Sequence, residues 1–269
     1  MIEPITGLSN PAVKYLRSLR DKKHRRRERR FMAEGLRLLT DARVTGHLPV
    51  ILAMAASRDP HPLLDTLIGE VAAGGGRVLE LSEAALTKVT GKDNPQAVCG
   101  VFDEFDTALN RIDRSSSSIV LVTQAMRDPG NLGTMLRTAD AVGAGGLVLV
   151  DGCADPFSVE AVRASMGAIF TVPLAVAPWS DFREWLRSGP GQLVGASLRN
   201  AQEYRGAPYQ SPCFVMVGNE SRGLPQDLED ECDLRVTIPM HGRADSLNAA
   251  IAGAVLSYEA VAVLCRDRG

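Results

Sequence analysis

The sequence lacks several features that mark common functional classes. Aromatic residues make up only 5% of the 269 residues. The five cysteines are dispersed and odd in number, with no C-x-x-C pair, so reduced thiols are expected and not a disulfide framework. The four histidines have no metal-ligand spacing. No apolar run reaches about 18 residues, so no membrane span is expected.

Two further absences narrow the class of protein. The first residues lack the basic start and apolar stretch of a secretory signal, which together with the thiols predicts a cytoplasmic protein. No G-x-G-x-x-G precedes a predicted helix, and this argues against a nucleotide-dependent oxidoreductase.

Charge is concentrated near the amino terminus. The formal net charge is −2, but residues 14–37 contain eleven Lys or Arg and three acidic residues, so this segment is +8 and the remainder is −10. Five arginines within residues 25–30 exceed what solubility needs, which favours contact with a polyanion. The predicted RNA-binding residues are Lys22, Lys23, Arg25, Arg26, Arg27, Arg29 and Arg30.

The pattern of apolar segments predicts two α/β domains. Residues 1–26 are interpreted as a basic extension, and residues 27–105 as a small α/β domain with a helix that begins near Ala33. The serine-rich segment 106–117 is predicted to be a linker. In residues 118–269, apolar strands alternate with helices, which is typical of a parallel sheet buried on both faces.

Three unusual segments follow predicted strands of the second domain, where open parallel sheets bind ligands. They are "DPGNLGTMLRTADAVGA" at 128–144, "VMVGNESRGLP" at 215–225 and "IPMHGRADSLNAAIAGAVLSYEA" at 238–260. Asn131 is placed like a helix N-cap, and Arg137 lies off the apolar face of the predicted helix. The small residues of 249–254 predict close packing of a helix.

Together these motifs resemble those of the SpoU family. They read N-x-G-x-x-x-R at 131–137, G-N-E at 218–220, I-P-M at 238–240 and S-L-N at 246–248. The family consists of S-adenosylmethionine-dependent RNA 2′-O-ribose methyltransferases of the SPOUT superfamily, which are TrmH-like. The layout is most similar to the ribosomal-RNA branch with the thiostrepton-resistance-type enzymes.

The resemblance implies a fold and a set of partners. It implies a C-terminal SPOUT domain at 118–269, with a mainly parallel sheet and a deep trefoil knot. The N-terminal α/β domain would bind the RNA substrate and resemble a ribosomal protein. The partners implied are S-adenosylmethionine as methyl donor, RNA and a second copy of the chain in a homodimer, with no metal, membrane or DNA.

The resemblance also implies residue roles. The implied catalytic residues are Arg137, Asn131, Glu220, Ser246 and Asn248. The implied cofactor-binding residues are Gly218, Ile238, Met240, Leu247, Ser197 and Leu198. The expected reaction is 2′-O-methylation of 23S ribosomal RNA. A transfer-RNA substrate and a non-catalytic role in RNA binding or ribosome assembly are the alternatives.

Overall fold

The computed structural model describes residues 2–266, so residues 1 and 267–269 of the predicted segments lie outside the described part. The chain divides into two compact units. One contains residues 1–105 and 157–170, and the other contains residues 106–156 and 171–269.

Both units contain helices and strands. Up to residue 105 the elements are β1 (Ile2–Ile5), α1 (Pro11–Ser18), α2 (Lys22–Glu28), β2 (Arg30–Glu34), α3 (Leu36–Val44), β3 (Ile51–Ala55), α4 (Pro62–Ala73), β4 (Arg77–Leu81), α5 (Glu83–Thr90) and β5 (Val98–Asp103). The remaining elements are β6 (Ile119–Gln124), α6 (Pro129–Ala141), β7 (Leu147–Val150), α7 (Val159–Ala164), β8 (Leu174–Ala177), α8 (Trp179–Arg187), β9 (Gln192–Ala196), β10 (Gln202–Glu203), β11 (Cys213–Val217), α9 (Gln226–Asp230), β12 (Leu234–Thr237) and α10 (Ala249–Arg266).

The N-terminal unit is built on a five-stranded sheet of order β1-β4-β3-β5-β2, in which β2 and β5 are antiparallel to their neighbours. Strand β1 pairs in parallel with β4, and Val13, Leu16 and Leu19 are fully buried in the core. The segment predicted to be an extension, residues 1–26, is thus part of this unit, because its apolar stripe covers the sheet.

The helix predicted to begin near Ala33 instead follows a strand. Phe31, Met32 and Ala33 lie in β2, which pairs with β5, and helix α3 begins only at Leu36. Positive φ angles at Arg29 (54°) and Gly35 (106°) separate this strand from the helices on either side. The apolar residues from Phe31 to Ala33 are therefore consecutive because they form a buried strand, and they do not follow the spacing of a helix.

Residues 157–170 belong to the N-terminal unit, although the sequence analysis placed them in the domain 118–269. Five phenylalanine rings pack together there, and the Phe31 centroid lies 5.0 Å from that of Phe157 and 6.0 Å from that of Phe170. The other members of this aromatic cluster are Phe102 and Phe105. Burial of these large aromatic rings stabilises the packing of residues 157–170 in the N-terminal unit.

The second unit contains a seven-stranded parallel sheet of order β10-β12-β9-β11-β6-β7-β8. The predicted parallel α/β fold is confirmed, with two strands, β8 and β10, that the sequence analysis did not predict. Strands β6, β7 and β11 are buried throughout. Because the strands are parallel, the loops that follow β6, β9, β11 and β12 all leave from one edge of the sheet, which is formed by the carboxyl ends of the strands.

Helix α10 packs closely against this sheet and against α6. A Cβ atom on Gly253 would lie only 2.7 Å from Met135 Sδ, so the small residues do permit close approach. By length and mean hydropathy (1.5) the helix could also cross a membrane, but its contacts with β6, β11 and α6 account for its apolar composition. Ile251 and Tyr258 remain more than half exposed on the opposite face (52% and 57%).

Candidate active site

The first motif segment enters helix α6 directly after strand β6. Asp128, not Asn131, is the N-cap of this helix, and its Oδ1 accepts a hydrogen bond from the Asn131 amide at 2.7 Å. The prediction of Asn131 as an N-cap is therefore wrong. With Asp128 in that role, the Asn131 side chain is directed to other loops of the sheet edge.

The Glu220 carboxylate, which follows β11, binds the loop before α6. It accepts hydrogen bonds from the amides of Arg127 (3.3 Å) and Asp128 (3.1 Å) and from Asn131 Nδ2 (3.3 Å). Partial burial raises the pKa of this carboxyl, but donation from its own amide, from Asp128, Arg127 and Asn131 outweighs burial, and the pKa lies below its ordinary value. Glu220 is therefore an ionised acceptor at neutral pH.

Asn248 joins the same group from the third motif segment. Its Nδ2 donates to Asn131 Oδ1 at 2.9 Å, while its Oδ1 accepts from the amides of Ala250 and Ile251 at the start of α10. The structure thus brings together Asn131, Glu220 and Asn248, one residue from each motif. We refer to these three residues as the polar triad.

Asn219 fixes the turn that carries Glu220. Its Nδ2 donates to the Ala125 carbonyl (2.8 Å) and to Glu220 Oε2 (3.1 Å), and its Oδ1 accepts from the amides of Ser221 and Arg222. Asn219 lies within the G-N-E motif but was not among the predicted site residues. Its partner Ala125 is 94 residues away in sequence, so its role in the turn leaves no local pattern.

The turn itself requires glycine at two positions. A Cβ atom on Gly218 would overlap the backbone of Gly223 and Leu224, and Gly223 has a φ of +68°. The amide and carbonyl groups of Asn219 and Gly223 are bonded to each other across the turn (3.1 and 2.9 Å). Backbone is thus packed against backbone at the end of β11.

A cavity of about 450 Å³ lies beside this turn, between the loops that follow β9, β11 and β12. This volume is in the range of small-molecule sites. All six predicted cofactor-binding residues line it: Gly218, Ile238, Met240, Leu247, Ser197 and Leu198. Glu220 and Ser246 line it as well, whereas Asn131, Arg137 and Asn248 are not among its lining residues.

A half-buried polar network fixes the wall at Ser197 and Leu198. Ser197 Oγ donates to Glu229 Oε1 at 2.6 Å, and Arg199 Nε donates to Glu229 Oε2 at 2.9 Å. This ion pair holds short helix α9 against the loop after β9. Arg199 and Glu229 were not predicted as site residues, because salt-bridge partners 30 residues apart leave no local pattern in the sequence.

Arg137 is exposed on α6, and its side chain makes no hydrogen bond or ion pair in the described part of the chain. Ser246 is exposed in the loop before α10. Both are therefore accessible to a ligand, and neither has a structural role in the contacts of residues 2–266.

The basic segment of the N-terminal unit divides into structural and free cations. Arg25 is only 3% exposed, and its Nη1 donates to the carbonyls of Leu19 (2.9 Å) and Arg20 (2.7 Å). This burial gives Arg25 a structural role and does not support its predicted contact with RNA. Arg27, Arg29 and Arg30 are paired with Glu28, Glu104 and Asp103, respectively. Lys22, Lys23 and Arg26 are exposed and make no side-chain contact to a partner among residues 2–266.

Adjacent arginines in α2 provide a direct comparison. We expect Arg25→Ala to lower the free energy of unfolding by at least about 1.5–3 kcal/mol, since it removes charge-assisted bonds to buried carbonyls. Arg26→Ala should leave stability within about 0.5 kcal/mol and weaken RNA binding. Urea unfolding and filter binding measure the two effects. Equal stability of the two variants would contradict the structural role of Arg25.

Models of two known protein families match the chain. A model of the SpoU rRNA methylase family matches residues 118–258, and a model of the MRM3-like substrate binding domain matches residues 10–100. The chain belongs to the SpoU rRNA methylase family, and the family predicted from the three motifs is confirmed.

Three relatives and solved structures match the chain over nearly its whole length. The chain is 33% identical to the Bacillus subtilis 23S rRNA (guanosine(2553)-2′-O)-methyltransferase RlmP, over 96% of this chain and 98% of the relative. It superimposes on the AdoMet-bound rRNA methyltransferase from Sinorhizobium meliloti with a TM-score of 0.90 and 41% identity, covering 96% and 97% of the two chains. For the SpoU methyltransferase AviRb from Streptomyces viridochromogenes in complex with AdoMet, the TM-score is 0.85 and the identity 27%, over 96% and 98%.

Proposed function

We propose that this protein transfers a methyl group from S-adenosylmethionine to a ribose 2′-oxygen of 23S ribosomal RNA. The observation that carries the proposal is the polar triad of Asn131, Glu220 and Asn248 beside the cavity at Gly218. Support for the substrate comes from the relatives named for ribosomal RNA, which match this chain over nearly its whole length.

The cavity fits S-adenosylmethionine in size and in chemistry. Its wall contains the apolar side chains of Leu198, Met240 and Leu247 and the backbone of the glycine turn at Gly218. Apolar walls with a few fixed polar groups are typical of cofactor sites. Gly218, Ile238, Met240, Leu247, Ser197 and Leu198 would hold the cofactor, which supplies an electrophilic methyl group when bound.

The protein must place the ribose in line with that methyl group and stabilise the charge that develops on the 2′-oxygen. This charge develops as the hydroxyl proton is lost and the S–CH3 bond of the sulfonium breaks while the O–CH3 bond forms. Arg137 is free to stabilise the charge on the 2′-oxygen, because a guanidinium stays protonated in proteins. It can bind the adjacent phosphate at the same time. Glu220 holds the loop from Arg127 to Asn131 in position. Asn131 and Ser246 would then orient the ribose by hydrogen bonds, with Asn248 fixing Asn131.

We also propose a homodimer and a knotted C-terminal region, in a cytoplasmic protein. The exposed apolar side chains of Ile251 and Tyr258 on α10 support the dimer, because burying them against a second copy is favourable. Backbone packing at Gly218 and the insertion of β12 between β9 and β10 support the knot. Sedimentation equilibrium of the full chain tests the dimer, and a monomer at micromolar concentration would contradict it.

The function is tested with purified protein, labelled S-adenosylmethionine and separate pools of unmodified ribosomal and transfer RNA. We expect label in the ribosomal pool, recovered in alkali-resistant dinucleotides, which identify a 2′-O-methyl group. Label in transfer RNA would preserve the chemistry and change the substrate. If calorimetry detects no binding of S-adenosylmethionine, the proposed methyltransferase activity is overturned. A non-catalytic role in RNA binding or ribosome assembly is then favoured.

A further inference from the structure

Two arginines at the edge of the parallel sheet have no carboxylate partner in the described part of the chain. Arg127 and Arg222 are exposed and have no ion pair with a carboxylate among residues 2–266. Five other arginines of this unit are paired with acidic side chains: Arg183, Arg187, Arg199, Arg205 and Arg235. Arg127 and Arg222 are instead available to bind an anion at the edge where the three motif segments meet.

The backbones of both arginines are fixed by one pair of side chains. The Arg127 amide donates to Glu220 Oε2 (3.3 Å), and the Arg222 amide donates to Asn219 Oδ1 (3.2 Å). Asn219 Nδ2 in turn donates to Glu220 Oε2 (3.1 Å). The two guanidinium groups thus extend from rigid attachment points close to the polar triad.

The two side chains lie on different sides of Glu220. A Cβ atom on Gly152, in the loop after β7, would lie 3.6 Å from Arg127 Nη1. Arg222 instead lines the cavity formed by the loops after β9, β11 and β12. Since the strand order is β9-β11-β6-β7, the two arginines are on opposite sides of the central pair β11 and β6.

Neighbouring carboxylates are already engaged. Asp128 Oδ1 accepts from the Asn131 amide (2.7 Å), and Asp151 Oδ1 accepts from the Trp179 amide (2.8 Å). Of the carboxylates that line the cavity, Glu220 and Glu229 accept hydrogen bonds, whereas Asp245 has no bonded partner among residues 2–266. A ligand with separated negative charges would satisfy both arginines, and a guanidinium matches the geometry of a phosphate.

We propose that Arg127 and Arg222 bind the phosphates on either side of the target ribose and so set the register of the RNA strand across the sheet edge. This inference rests on the proposed RNA methyltransferase function. Phosphate contacts of this kind fix position and orientation without reading bases. Arg137 would share one of these phosphates and would in addition stabilise the charge on the reacting 2′-oxygen, which Arg127 and Arg222 would not.

The test uses Arg127→Ala, Arg222→Ala and the double variant, with Arg183→Ala as the control of equal charge. A 23S ribosomal RNA transcript is the probe. We expect each single variant to bind it about 10-fold more weakly, in line with a lost charge-assisted hydrogen bond. The slope of log affinity against log salt should shrink by about 0.7 per arginine on a single strand. The rate at saturating RNA should stay at the wild-type value, and Arg127→Ala, whose side chain does not line the cavity, should also keep the wild-type affinity for S-adenosylmethionine.

Two results would overturn the inference. Salt slopes equal to that of Arg183→Ala would show that neither arginine contacts a phosphate. Weaker S-adenosylmethionine binding by Arg222→Ala, with unchanged RNA binding, would assign that residue to the cofactor cavity instead. Failure of the wild-type protein to label any RNA would instead contradict the proposed function, and this result is read before any variant is compared.

Discussion

Arg137→Ala is expected to abolish most methyl transfer while leaving the fold and cofactor binding intact. The side chain is exposed and has no partner among residues 2–266, so its removal costs little stability. Loss of one group that stabilises developing negative charge lowers the rate about 10²–10³-fold. Single-turnover transfer of label to ribosomal RNA measures the rate, and calorimetry measures the affinity for S-adenosylmethionine.

The conservative variant Arg137→Lys separates charge from geometry. Lysine keeps the positive charge but offers a point ammonium in place of a planar fork of donors. We expect an intermediate rate, because the charge remains while bidentate contact with phosphate is lost. If Arg137→Ala turned over at the wild-type rate with saturating RNA, Arg137 would have no catalytic role. Impaired cofactor binding by that variant would assign it to the cavity, which it does not line.

Gly218→Ala is expected to remove cofactor binding. The added methyl group would overlap the backbone of Gly223 and Leu224, which have no rotamer to change, so the turn at the end of β11 must move. Overpacking of this kind costs about 1–3 kcal/mol of stability. Movement of the turn also displaces Asn219 and Glu220, and with them the loop before α6. Calorimetric titration with S-adenosylmethionine measures the loss.

Gly242→Ala is the matched control, since a Cβ atom there meets no atom within 4 Å. It should bind the cofactor as the wild type does, and both variants should be compared by thermal unfolding. Cofactor affinity of Gly218→Ala within twofold of the control would mean that the turn tolerates the methyl group. The glycine turn would then not form the cavity wall as the structure indicates.

Local patterns predicted much of the second unit and of its site. Strands β6, β7, β9 and β11 were predictable because continuous apolar runs of strand length follow from burial on both faces of a parallel sheet. The short strands β8 and β10 were not, since LAVA and a two-residue strand carry too few residues for a period. The motif residues at 131, 220 and 248 were identified as candidates without knowledge of their mutual contacts.

The basic segment shows where a local pattern misleads. Six of the seven cations of residues 22–30 are at least partly exposed, yet Arg25 is buried because its guanidinium satisfies carbonyls at the end of α1. Composition counts charge, but it does not distinguish a cation that binds carbonyl groups from one that is free to bind phosphate. That distinction depends on which backbone groups the fold leaves unsatisfied.

The sequence by itself determined the alternation of helices and strands, the family through its three motifs, and the positions of the polar residues at strand ends. These properties are local, since they depend on hydrophobic period and on short runs of residues. Only the tertiary structure decided that residues 157–170 pack in the N-terminal unit, that Asp128 and not Asn131 caps α6, and that Glu220 meets Asn131 and Asn248. Such contacts join residues up to 117 positions apart, and they form only because parallel strands bring distant loops to the same edge of one sheet.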